Sequence, residues 1–144
     1  ELEKLLKISN RAGKRRYMAF QYLTLHAEVG SVELVNAGMF FPIVFDLQKR
    51  TLEQVKLPSR PLGAGSGTAR ESCKIELAVG QALVLLTNGV LASGRVEHQK
   101  VFEILSETKE YDPQGIFAEF VGEFKGRYGQ IMNDDVTMVV IKRL

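Results

Sequence analysis

Ala82-Leu83-Val84-Leu85-Leu86 is an unbroken apolar run that leads straight into Thr87-Asn88-Gly89. It is shorter than a typical helix and is closed by a turn signal, so it predicts a strand buried on both faces. Gly89 is expected to supply the backbone angles of a sharp exit. A polar side chain at the end of a buried strand is held rigidly, which suits a binding or catalytic group. Asn88 is in that position, so the question becomes what it meets across the fold.

The elements before this run alternate with turns. Residues 1–8 place Leu2, Leu5 and Leu6 at helical spacing, and residues 9–16 form a polar loop. Residues 17–28 and 31–35 read as two strands joined by a turn at Val29-Gly30-Ser31, an antiparallel hairpin. Asn36-Ala37-Gly38 breaks the chain. Residues 40–45 form a third strand, with Pro42 arguing for an edge or a bulge. A turn over 46–50 leads to a fourth strand over 51–57. Residues 58–68 are a loop carrying Gly63, Gly65 and Gly67, and they lack the Lys-Ser/Thr that completes a phosphate-binding loop. Residues 69–77 resume as a strand, which is followed by a turn at 78–80. Four short strands in about 40 residues favour a sandwich or meander over a parallel sheet.

Beyond Gly89 the period becomes helical. Residues 95–109 present Val101, Phe102 and Leu105 on one side. Asp112-Pro113 is a helix start, with Asp as cap and Pro in the first turn. Ile116, Phe117, Phe120, Val121, Phe124 and Tyr128 then make a core-facing stripe. Gly122 and Gly126 are expected to permit close packing, and Gly129 to cap the helix. The final element, residues 136–141, is a strand apolar on both faces, preceded by Asn133-Asp134-Asp135. The class is α+β.

Composition narrows the function. No apolar run approaches the roughly 20 residues of a membrane helix, and from the charged stretch at Glu1 no signal peptide is expected. Cys73 is the only cysteine, so no internal disulfide and no cysteine-based zinc site can form. A reducing, cytoplasmic setting is expected. Residues 1–16 hold six Lys/Arg against two Glu, whereas the remainder holds 13 against 15. The short basic cluster Lys14-Arg15-Arg16 has no interleaved aromatics, so a nucleic-acid partner is not expected. His26 and His98 have no ligand spacing.

Chemistry must therefore come from oxygen donors. If the strand ending at Asn88 and the strand beginning after Asp134-Asp135 are antiparallel neighbours, these residues share one rim of a sheet. Grouped oxygen ligands of this kind suit a hard cation such as Mg²⁺ or Mn²⁺. Taken alone, two adjacent acids before a strand are more often a solvated turn than a ligand pair.

Five segments together resemble a known family. Val35-Asn36-Ala37-Gly38, Pro61-Leu62-Gly63, Leu77 with Gly80, Leu86-Thr87-Asn88-Gly89-Val90 and Asp134-Asp135-Val136-Thr137 follow the order and approximate spacing of the metal-dependent Ser/Thr protein phosphatases. The branch is similar to the SpoIIE/RsbU type, whose members read Asn-Ala-Gly-His, Pro-Leu-Gly, Gly-Asp, Thr/Ser-Asp-Gly-Val and Asp-Asp-Ile/Val-Thr. The resemblance spans roughly residues 17–144. It implies an antiparallel β-sandwich flanked by helices in a single domain over 1–144. It also implies two Mn²⁺ or Mg²⁺ ions that activate a water against a phosphoserine or phosphothreonine. By position, Asp134 would be a metal ligand, Asp135 its neighbour, and Asn88 would fill a ligand position normally held by Asp. Asn36, Gly38, Gly63 and Gly89 would be structural. The implied partner is a phosphorylated anti-sigma-factor antagonist of the STAS type.

The departures are specific. Asn88 contributes no negative charge, Met39 stands where the family has His, and Leu91-Ala92-Ser93 follow where a Glu is usual. The family's Asp-rich first metal motif and the elements around it are not in this sequence. One carboxylate and an amide cannot hold two divalent ions, so the chain alone is expected to lack appreciable phosphatase activity. A phosphatase-like regulatory module that binds a protein partner is the alternative, and an unrelated α+β binding domain is a third reading. An apolar sheet face left open would invite a homodimer.

Overall fold

The computed structural model describes residues 4, 6, 8, 16–64, 70–91, 98–129 and 134–144. The expected helix over 1–8 and the loop over 9–16 lie almost wholly outside them, as do Gly65, Gly67, Ala92, Ser93 and Asn133. Among the described residues seven strands follow in chain order: β1 (Phe20–His26), β2 (Ser31–Ala37), β3 (Ile43–Asp46), β4 (Thr51–Gln54), β5 (Ser72–Glu76), β6 (Gln81–Leu86) and β7 (Met138–Lys142). Two helices, α1 (His98–Glu107) and α2 (Pro113–Tyr128), separate β6 from β7. The chain divides into two compact units. One is built on Glu1–Phe41 and Lys56–Glu76, the other on Pro42–Val55 and Leu77–Leu144.

The first unit holds a three-stranded antiparallel sheet in the order β1-β2-β5. The expected hairpin is present. Gly30 takes a left-handed φ of 68° and its N–H donates to the carbonyl of His26, closing the turn. Val32 and Leu34 are fully buried while Glu33 between them is exposed, the period of two that a half-buried strand requires. The strand runs on through Asn36 and Ala37, so the break falls at Gly38 and not at the whole Asn-Ala-Gly segment. The reason is that Asn36 is buried in side-chain hydrogen bonds, which keeps the backbone extended there.

The second unit holds a four-stranded antiparallel sheet in the order β4-β3-β6-β7. Here β3 is paired on both sides, so the edge assignment drawn from Pro42 is overturned. Pro42 stands just ahead of the strand, where its carbonyl accepts from the N–H of Val55 and no donor is missed. As predicted, residues 82–86 of β6 are buried throughout. β7, read as a strand buried on both faces, is an edge strand with Val139 45% exposed.

The β3–β4 turn is organised by Asp46. Its Oδ1 accepts from the N–H groups of Gln48 and Lys49, and its Oδ2 accepts from Gln81 on β6. The Lys49 N–H, ahead of the smaller opposing effect of desolvation, holds this carboxyl below its ordinary range. A carboxyl lowered in the folded state adds stability above its unfolded pKa and loses it as pH falls through the folded value. The melting temperature of the native chain should therefore fall more steeply below pH about 4 than that of Asp46→Asn. Parallel acid melts check this.

Asp112 caps α2 as expected, accepting from the N–H groups of Gln114 and Gly115, with Pro113 in the first turn. Gly129 closes it through its N–H to Lys125. The buried stripe is narrower than predicted, being Ile116, Phe120 and Phe124; Phe117 is 46% exposed. On α1 the buried positions are Val101, Ile104 and Leu105, with Phe102 only half-buried. Gly122 and Gly126 do not mark close packing, because a side chain at either would meet open space. Arg127 on α2 joins Glu107 on α1 and Glu123 on its own helix. These exposed ion pairs orient the helices but add little stability.

Candidate active site

β6 and β7 are antiparallel neighbours, with Leu86 opposite Met138. The exit of β6 therefore lies beside the entry of β7, as expected from the two apolar segments. Past Leu86 the pairing continues through one more residue. The Thr87 N–H donates to the carbonyl of Thr137 at 3.0 Å. The Thr87 hydroxyl then takes over from the backbone. It accepts from the Thr137 N–H at 2.9 Å and donates to the carbonyl of Asp135 at 3.3 Å. Thr87 is therefore a side-chain staple between the exit of β6 and the start of β7. Sequence reasoning assigned it no role; a hydroxyl at the last strand position beside a partner strand was the available signal.

Asn88 opens a short 3₁₀ turn, Asn88–Leu91, and is exposed. Gly89 behind it is buried, and its role differs from the one expected. It does not adopt a left-handed φ. Instead, a Cβ at this position would lie 2.0 Å from the carbonyl oxygen of Asp135 and 2.8 Å from its carbonyl carbon. Glycine is needed because two backbones approach, not because the chain turns sharply. The same contact sets Asn88 beside Asp134-Asp135. Both acids are exposed, and Asp134 Oδ1 accepts from the N–H of Asp135 at 2.9 Å. Asn88, Asp134 and Asp135 thus share one rim of the sheet.

As a cation site this donor set is thin. Asn88 offers a neutral oxygen, and one oxygen of Asp134 is engaged by a backbone N–H. Among the described residues no group of three or more His, Cys, Asp and Glu side chains is placed to hold a metal ion. His26 and His98 are both exposed and neither belongs to such a group. The described residues do not fit a pair of divalent cations, which needs several carboxylates.

The other motif residues build the first unit. Asn36 is 1% exposed; its Nδ2 donates to the carbonyls of Met39 and Leu57, and its Oδ1 accepts from the Met39 N–H. Gly38 has φ 78°, and a Cβ there would lie 2.5 Å from Cγ of Pro61. Leu62, the next residue, exchanges two backbone hydrogen bonds with Met18, and Gly63 turns the chain at φ 83°. Asn-Ala-Gly and Pro-Leu-Gly are therefore two halves of one brace. Their co-occurrence in the sequence is explained by packing rather than chemistry.

The comparisons with known proteins agree with this architecture. The family model for stage II sporulation protein E, SpoIIE, matches residues 1–144. Comparison with curated protein sequences gave no match. Among solved structures, the phosphatase domain of SpoIIE from Bacillus subtilis, presoaked with Mn, superposes with a TM-score of 0.70 at 16% identity, over 98% of this chain and 63% of that one. The SiaA PP2C domain of Pseudomonas aeruginosa gives a TM-score of 0.74 at 18% identity, over 97% and 57% of the two chains. A structure of RsbU and RsbW domains from Mycobacterium tuberculosis gives 0.73 at 17% identity, over 95% and 39%. The chain thus spans less than two thirds of the length of these structures. At such identities the likeness establishes the fold, an α+β arrangement of antiparallel sheets with helices. With the family model matched from end to end, the chain belongs to the SpoIIE family.

Proposed function

We propose that this chain is part of a SpoIIE-type Ser/Thr phosphoprotein phosphatase domain of bacterial cytoplasmic signalling. In its complete form the domain would remove phosphate from a phosphorylated STAS-type anti-sigma-factor antagonist by two-metal hydrolysis with Mn²⁺ or Mg²⁺. Asp134 and Asn88 would stand at the metal-ligand positions, with Asp135 as their neighbour. The single observation behind this reading is the β6–β7 register, which carries Asn88 and Asp134 to one rim. Asn88 lacks the charge that a second carboxylate would bring, so this chain is catalytically impaired. Incubation with Mn²⁺ and a phosphoserine STAS protein should release no phosphate above buffer. In the same series Asn88→Asp should raise Mn²⁺ affinity, read by thermal shift, by about tenfold or more, ~1.4 kcal/mol. Turnover by the native chain that Asp134→Ala abolishes would refute the impairment. Asn88→Asp with unchanged Mn²⁺ affinity would remove this rim from the metal site.

One observation favours a second reading. A neutral, exposed Asn at the rim, with no third ligand group among the described residues, fits a regulatory module that binds a protein partner without hydrolysing it. Tight binding of the phosphorylated partner with no turnover, even after Asn88→Asp, would select this reading.

A further inference from the structure

The β3–β4 turn of the second unit ends on a strained arginine. Arg50 has a left-handed φ of 57°, and among the described residues it is the one non-glycine residue with a positive φ. Such a conformation costs free energy and persists only where the surroundings hold it, which is most often at a functional site. Here the hold is aromatic. The Arg50 guanidinium lies 5.5 Å from the ring centroid of Phe45 and 5.8 Å from that of Tyr111, a residue of the connection between α1 and α2. Both are cation–π distances. The packing shuts Nη1 off from water and gives it no hydrogen-bond partner. A donor in that state is rare and calls for an acceptor.

A second cation converges on the same place. Phe45 of β3 is opposite Ala82 of β6, and Ala82 is opposite Lys142 of β7. Directly opposed residues share a face of the sheet, so Lys142 projects on the side where Phe45 meets Arg50. Its Nζ donates to the carbonyl of Tyr111 at 2.8 Å. Tyr111 thus takes the guanidinium on its ring and the ammonium on its carbonyl. Among the described residues neither Arg50 nor Lys142 forms an ion pair, whereas Lys49, Lys74, Lys100 and Arg127 each do.

We propose that Arg50 and Lys142 form an oxyanion site that takes a phosphate group. The guanidinium, immobilised over Phe45, presents a planar fork of N–H donors, and Lys142 adds a point charge beside it. A phosphate dianion uses both. Tyr111 is 55% exposed, so its ring turns aside to admit an oxygen to Nη1 while its carbonyl stays with Lys142. The site is at the Gln81 end of β6, opposite the end that leads into Asn88. Six residues of strand put the two ends about 20 Å apart, so the proposal is independent of the metal-site reading of the rim.

Titration of the native chain with inorganic phosphate at constant ionic strength, followed by amide chemical shifts, tests this. The amides of Arg50, Tyr111 and Lys142 should move together and saturate in the millimolar range, while chloride leaves them in place. Asn tolerates a left-handed φ, so Arg50→Asn keeps the turn and loses the fork; it should weaken phosphate binding at least about tenfold. Lys142→Gln should weaken it less, and Lys100→Gln, whose native ammonium pairs with Glu103, not at all. A phosphoserine peptide run alongside separates the sources. Tighter binding than phosphate at the same amides assigns the site to a phosphoprotein, and equal or weaker binding there assigns it to free phosphate. No shift at these amides with either ligand would overturn the proposal. So would binding that Arg50→Asn and Lys142→Gln leave unchanged.

Discussion

Gly89→Ala should destabilise the second unit by roughly 3 kcal/mol or more, a loss at the upper end for a single methyl group. The added Cβ would fall 2.0 Å from the Asp135 carbonyl oxygen, a backbone atom that cannot rotate aside. Relief requires the chain at 134–136 to move away from the exit of β6. That motion breaks the Thr87 staple to Thr137 and Asp135 and separates Asn88 from Asp134. Chemical denaturation would show the loss directly. Amide exchange at Thr137 should accelerate beyond what the global loss of stability explains, since its acceptor is the Thr87 hydroxyl. A Gly89→Ala chain as stable as the native one would mean that the two backbones do not approach.

The second large effect is expected at Asn36. Asn36→Leu keeps the forked outline of the side chain and removes its hydrogen bonds, while its larger methyl groups add some overpacking. The buried carbonyl of Leu57 and the half-buried N–H and carbonyl of Met39 lose their partner. Each buried group left unsatisfied costs about 1–3 kcal/mol, so a total of roughly 3 kcal/mol is expected. The first unit should bear the damage, with β2 losing amide protection at its Gly38 end, while the β6–β7 rim exchanges as before. Denaturation of Asn36→Leu beside the native chain, followed residue by residue, separates the two units. Unchanged stability would show that the Asn side chain is not the brace.

Much of this architecture was legible in the sequence because local chemistry and tertiary position agree. The apolar run before Thr87 had to be a buried strand, and the Asp112-Pro113 pair could hardly be anything but a helix start. Misreadings came where a residue's role depends on a distant neighbour. Pro42 looked like an edge marker, yet its missing N–H lies outside the ladder. Gly122 and Gly126 looked like packing sites and face open space. Gly89 was recognised as necessary for a conformational reason, whereas its necessity is a contact with a residue far along the chain. Periodicity cannot report such contacts. The apolarity of 136–141 implied a strand covered on both faces, but an edge position exposes Val139 all the same. For the rim itself, the sequence supplied the donors and the motif order. The staple that joins them depended on a hydroxyl whose partners only the β6–β7 register reveals.

β6 and β7 bring Asn88 and Asp134 to one rim, and proton–proton contacts at Gly89 test this most directly. Nuclear Overhauser cross-peaks from the Gly89 α-protons to the Val136 methyl groups are expected, together with a slowly exchanging Thr137 amide. Gly89 showing no contact with residues 135–136, and a Thr137 amide exchanging at the rate of an open chain, would contradict it.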